Sequence, residues 1–91
     1  MSSGHLSDRE IVLKGRRIYD SRYRPGFERD FPGQFAAIDI ITEDAFVNEF
    51  PEEALTKART ASPSGTFFLV RIGSEGAFKV SRISHDRPGL I

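Results

Sequence analysis

Cysteine is absent from this 91-residue chain, which removes a disulfide framework, a thiolate zinc site and a cysteine nucleophile together. Nor does any apolar run approach the roughly 18 residues a membrane span needs. The opening MSSGHLSDRE lacks the basic-then-apolar pattern of a secretion signal, and these absences make the cytoplasm the expected location. Net charge is also missing, since thirteen bases meet thirteen acids, so no overall positive excess points to nucleic acid.

What the chain does have is phenylalanine, eight residues in a sequence that is 38% hydrophobic. A chain of this length is one domain burying roughly 60–65% of its unfolded surface, stable only if its core is well used. The charges are unevenly spread. Residues 1–30 hold seven Lys/Arg and five Asp/Glu, residues 31–56 six acids and no base, residues 57–91 six bases and two acids. Internal neutralisation explains that layout, and a self-complementary or partner-docking surface would use it equally well.

Local signals divide the chain. Residues 1–6 and 84–91 lack periodicity and read as flexible ends, around a single α+β domain over 7–83. Ser7 and Glu10 form a capping-box pattern, so a helix is expected from Asp8. Ile11, Val12, Ile18, Tyr19 and Tyr23 share one stripe of it. Pro25-Gly26 predicts its end near Tyr23, giving helix 8–23, with Gly15 weakening the middle. Residues 25–34 read as a connection tacked to the core by Phe27 and Phe31. Strands are expected at 35–41, 45–50, 66–72 and 77–83, the third nearly continuous in apolar residues as a central strand should be. Between them, Pro51 with Glu52 and Glu53 begins a helix over 51–61 whose stripe of Ala54, Leu55, Ala58 and Ala61 permits close packing on a sheet.

The order α-β-β-α-β-β predicts a four-stranded antiparallel sheet, 2-1-3-4, with helix 51–61 as its crossover. One such helix cannot cover both faces. The second face needs the N-terminal helix or a second copy, and the sequence leaves both open.

Each candidate for chemistry has a plainer explanation beside it. Asp39 and Arg71 fall inside strands expected to be neighbours, where either charge buried alone costs several kcal/mol. A structural ion pair is the expected solution, and a ligand-docking pair the alternative. Gly73-Ser74-Glu75-Gly76 has the outline of a nucleic-acid-clamping Gly-x-x-Gly loop, but that loop joins helices, whereas strands flank this one; a hairpin turn is the simpler reading. Arg16, Arg17, Arg22, Arg24 and Arg29, with Tyr19 and Tyr23 interleaved, suit phosphate binding or a solvated face meeting the acidic segment 43–53. Ser84-His85-Asp86 has triad residue types, but adjacency defeats triad geometry. His5 and His85 have no helical-spacing ligand partner, so no metal, cofactor or catalytic residue is assigned.

Taken in order, IYDSRYRPGFE, GQFAAIDI, PEEALTKAR and FFLVRIG resemble a family of short, uncharacterised bacterial proteins. The family pattern combines a tyrosine and Arg-Pro helix end, a glycine–aromatic strand ending in Ile-Asp, a Pro-Glu-Glu-Ala-Leu helix and a Val-Arg-Ile-Gly strand. The likeness covers about residues 18–80. It implies an antitoxin-like or accessory protein acting on a partner encoded nearby, and no catalytic residue. Two departures stand out: Thr42-Glu43-Asp44 replaces a glycine-containing turn, and Phe50 occupies a helix cap where a hydroxyl residue is usual.

The resulting expectation is a non-enzymatic protein-interaction module that forms a homodimer. Its interface would be Ile11, Ile18, Tyr19 and Tyr23, with Arg16, Arg17 and Arg24 selecting an acidic counterpart, or a free strand edge. The alternative is a nucleic-acid-binding protein using the arginine-rich helix.

Overall fold

The computed structural model describes residues 6–73 and, by their backbone, residues 78–82. Of the expected flexible ends, residues 1–5 and 84–91, with the Ser84-His85-Asp86 run, lie outside these residues, as do the turn residues 74–76, whereas Leu6 is described and packs against the core.

The capping box forms. Ser7 Oγ accepts from the Glu10 N–H at 3.1 Å and Glu10 Oε1 accepts from the Ser7 N–H at 2.9 Å, which starts helix α1 (Asp8–Ile18). The helix does not end near Tyr23. It passes through one π-helical turn, Tyr19–Tyr23, in which the Arg24 N–H reaches back to the Tyr19 carbonyl. It then continues as α2 (Arg24–Asp30), with Pro25 in the first turn. The physical reason is that proline's missing N–H and its ring conflict with an α-helical interior but not with a helix start. The wide turn makes Arg24 such a start. The extra residue also delays the helical phase by roughly 100°, so Tyr23 and Phe27 continue the buried stripe of Ile11, Ile18 and Tyr19 instead of drifting off it.

Strands β1 (Phe35–Asp39), β2 (Ala45–Asn48), β3 (Thr66–Arg71) and β4 (Phe78–Arg82) flank helix α3 (Pro51–Ala61) in the chain. They lie side by side as β2-β1-β3-β4, every pair antiparallel. The protein is thus α+β, with an antiparallel sheet as its middle layer. On one face Ala36, Ile38, Ile40, Phe68, Val70 and Ile72 bury against Ile11, Ile18 and Tyr19. On the other, Ala37, Phe67 and Leu69 bury against Ala54 and Ala58. Alternation along β1 and β3 distributes residues between two cores, which is why β3 reads as continuously apolar.

The N-terminal helix therefore docks in cis, and among the described residues both sheet faces are covered by the chain's own helices. Gly15 makes this docking possible. A Cβ on Gly15 would overlap Phe68 Cβ and Cγ, so the helix backbone rests directly on the Phe68 side chain. The glycine that weakens the helix in sequence terms is what brings it close to the sheet.

Gly15→Ala is accordingly expected to destabilise the fold by up to about 2 kcal/mol, because overpacking against Phe68, at about 1–3 kcal/mol, exceeds the helix-propensity gain of about 1 kcal/mol. Thermal unfolding by circular dichroism checks the sign: a raised midpoint would contradict the close contact.

Candidate functional site

The site is built on the turn between β1 and β2. Asp39 ends β1 with only 1% of its surface exposed, and its Oδ1, carbonyl and N–H all serve this turn. Its Oδ1 accepts from the Ile41 N–H at 2.9 Å and the Thr42 N–H at 3.1 Å. Its carbonyl accepts from the Glu43 N–H at 2.7 Å, and its own N–H donates to the Asp44 carbonyl at 2.8 Å. Thr42 Oγ1 accepts from the Asp44 N–H at 3.2 Å. A buried carboxylate is tolerable when backbone donors replace its water, and here two do. Glu43 takes φ +69°, a left-handed conformation that costs a non-glycine residue of order 1 kcal/mol.

The helix holds this strained corner from outside. The Tyr23 hydroxyl donates to the Glu43 carbonyl at 2.6 Å, and Arg22 Nη1 lies 2.9 Å from Glu43 Oε1. Tyr23 is fixed by stacking on Phe27 at 5.0 Å between ring centroids, and Phe27 meets the Phe31 edge at 5.6 Å. What the clamped turn presents is Ile41. Expected as the last residue of a strand, it lies outside β1 and is 68% exposed, the most exposed of the large apolar side chains described. Thr42 and Asp44 beside it are exposed as well.

Asp39 and Arg71 do not pair. In the β1–β3 register Asp39 lies opposite Phe67 and Arg71 opposite Phe35, four residues or about 13 Å apart along the strands. Arg71 is exposed, its guanidinium 6.0 Å from the centre of the Phe35 ring. The strands are neighbours as expected, but the register puts the two charges at opposite ends. Each is satisfied locally, one by turn amides and the other by water and an aromatic face.

The expected interface is also largely interior. Ile11, Ile18 and Tyr19 are buried in the chain's own core, and Tyr23 is spent on the Glu43 turn. Arg24 lies 3.1 Å from Asp20 and 3.7 Å from Glu28, over the Tyr19 ring. Arg16 is half-buried, and Arg17 alone of the set is fully exposed. With Arg22 on Glu43 and Arg29 on Asp30, three of the five arginines proposed for phosphate already face carboxylates. A strand edge is guarded too. Continuing from the Asp39–Asp44 hydrogen bond, the register turns the Val47 backbone outward, and Lys57 Nζ donates to the Val47 carbonyl at 2.8 Å. A lysine reaching over from the covering helix to a short edge strand blocks strand addition there.

Tyr19 is the one buried hydroxyl without a hydrogen-bond partner among the described residues. Burial raises its pKa above the usual phenol value, Glu28 and Asp20 add to the rise, and Arg24 and the Gly73 N–H oppose it. That N–H favours the anion without reaching hydrogen-bond geometry.

Among the described residues, no group of three or more histidines and carboxylates converges as metal ligands, and no helix is long and apolar enough to cross a membrane. Compared with protein-family models, curated proteins and solved structures, the chain matches none. Sequence reasoning placed a turn at Thr42-Glu43-Asp44 but left Ile41 in the strand, because Ile41 continues the apolar run of β1 without a break. The available signal was Asp39 itself, an Asx-turn former two residues before Ile41.

Two expectations follow. Asp39→Ala should cost about 2–3 kcal/mol by stripping two charge-assisted hydrogen bonds, whereas Arg71→Ala should cost about 0.5 kcal/mol or less. Equal losses in urea denaturation would instead indicate a shared pair, for which removing either partner costs about 3–5 kcal/mol. Because the Tyr19 pKa is raised on folding, its contribution is fully present below the unfolded value of about 10 and is lost as pH climbs through the folded value. Tyr19→Phe should therefore flatten the alkaline part of the stability–pH curve while leaving stability near neutrality unchanged or slightly higher; an unaltered alkaline limb would contradict the burial.

Proposed function

We propose that this chain is a non-enzymatic protein-interaction module that offers the turn 39–44, tipped by Ile41, to a protein partner. The reading takes the four-stranded 2-1-3-4 sheet as a rigid frame whose β1–β2 corner is the business end. The observation that carries it is the pairing of exposure with restraint: the most exposed large apolar side chain described stands on a turn held by the Asp39 carboxylate, the Tyr23 hydroxyl and the Arg22–Glu43 ion pair. Apolar side chains scattered singly on mobile loops need no explanation. One held on a strained, clamped corner forfeits little entropy on docking, which is how binding anchors gain affinity. Strain of the Glu43 kind concentrates where a backbone shape is used.

The partner surface that fits is an apolar pocket with basic groups at its rim to meet Asp44 and the second oxygen of Glu43. An antitoxin-like or accessory role, in which the turn plugs a site on a protein encoded nearby, accords with the family resemblance of the sequence. Strand addition at β2 would first have to displace Lys57, and phosphate binding would have to compete with the carboxylates already on Arg22, Arg24 and Arg29.

The test is capture from the native host with immobilised full chain, against Ile41→Asp and Arg17→Glu. A protein held by the parent and by Arg17→Glu, but lost with Ile41→Asp at unchanged thermal midpoint, is the expected result. Nucleic acid retained by all but Arg17→Glu, with retention falling steeply as salt rises, would overturn the reading.

A further inference from the structure

Two surface patches remain after the turn is accounted for, and they are complementary. The first lies on the outer face of α1. Arg9, Leu13 and Arg17 follow one another at a spacing of four, so they share a face, and it is the face opposite the buried Ile11, Gly15 and Ile18. Leu13 is 57% exposed at its centre, and Lys14 lies alongside. Arg9, Lys14 and Arg17 are exposed and form no ion pair among the described residues, in contrast to Arg22, Arg24 and Arg29. The second patch surrounds Phe50, which is 58% exposed and held in place by its N–H on Asn48 Oδ1 at 3.0 Å. Glu49, Glu52 and Glu53 flank it, all exposed and likewise without an ion pair among the described residues. Helix-start preference accounts for Glu52 and Glu53. It does not account for Glu49, or for a phenylalanine at the cap.

Within one chain these patches cannot meet. α1 covers one face of the sheet and α3 the other, so roughly 20 Å of protein separates them, about two Debye lengths at 0.1 M salt. Each carries an apolar centre and three charges without an ion pair among the described residues, of opposite sign; Glu10, the acid beside the basic set, has its carboxylate on the Ser7 N–H. We infer that the natural occupant of each patch is the other patch on a second copy of this chain: Leu13 packs on Phe50, and Arg9, Lys14 and Arg17 meet Glu49, Glu52 and Glu53. Because the two surfaces differ and face away from each other, the contact is heterologous. It leaves one unused patch at each end and grows head to tail instead of closing as a two-fold dimer. The contact is independent of the turn at Ile41, so either can fail without the other.

Sedimentation of the full chain tests this. At about 0.05 M salt the mean mass should keep rising between about 10 µM and about 1 mM protein, and it should return to monomer near about 0.5 M salt as the charges are screened. Leu13→Ser and Phe50→Ser, both at exposed positions, should each weaken association roughly tenfold or more, the loss expected for one apolar anchor. An equimolar mixture of the two variants retains one intact contact and should yield one-to-one dimers and nothing longer. Ile41→Asp should leave all of this unchanged. A parent chain that stays monomeric at low salt would overturn the inference. So would a mass that plateaus at two copies, or a variant mixture no larger than its components.

Discussion

Both faces of a narrow sheet must be covered by helices drawn from the same short chain, and the remaining features follow from that constraint. The crossover helix solves one face cheaply, with Ala54 and Ala58 set flat on Ala37, Phe67 and Leu69. The other face is harder, because the covering helix precedes the sheet in sequence and must lie close to β3 to exclude water. Gly15 over Phe68 sets that distance. With the helix seated, Ile11, Ile18 and Tyr19 complete a core that the strands alone would leave open.

The same seating explains the two irregularities in the backbone. A regular helix would rotate its apolar stripe away from the sheet before reaching Phe27. The π-helical turn at Tyr19–Tyr23 corrects the phase and leaves Pro25 at a position where proline is tolerated. It also brings Tyr23 and Arg22 to the β1–β2 corner, where they hold Glu43 in a conformation that a glycine would adopt freely. The strain at Glu43 and the π-helical turn are thus one arrangement, and its product is a fixed corner carrying Ile41.

Charge is used in two different ways. On the inner half of the arginine-rich segment, Arg22 and Arg24 neutralise carboxylates and orient aromatic rings, contributing order more than energy at such exposure. On the outer face of α1 and at the start of α3, charges of opposite sign stay apart on opposite sides of the sheet. A net charge of zero therefore conceals a polar molecule, which is what makes mutual recognition between copies physically reasonable.

By itself the sequence determined those features whose causes are local: the Ser7–Glu10 cap, the Pro51 helix with its alanine stripe, an antiparallel sheet with Thr66–Arg71 inside it, and the α+β class. Each rests on spacing within a few residues or on the period of apolar side chains. Tertiary structure alone decided the strand register, the depth at which the first helix sits and the direction in which each buried polar group turns. Register parted Asp39 from Arg71, since a pairing shift of a few residues changes little in strand composition and everything in which side chains meet. Depth made Gly15 an asset and carried the helix past Pro25. Neither quantity leaves a trace in periodicity, because both are set by contacts between segments far apart in the chain, Phe35 with Arg71 for the register and Gly15 with Phe68 for the depth.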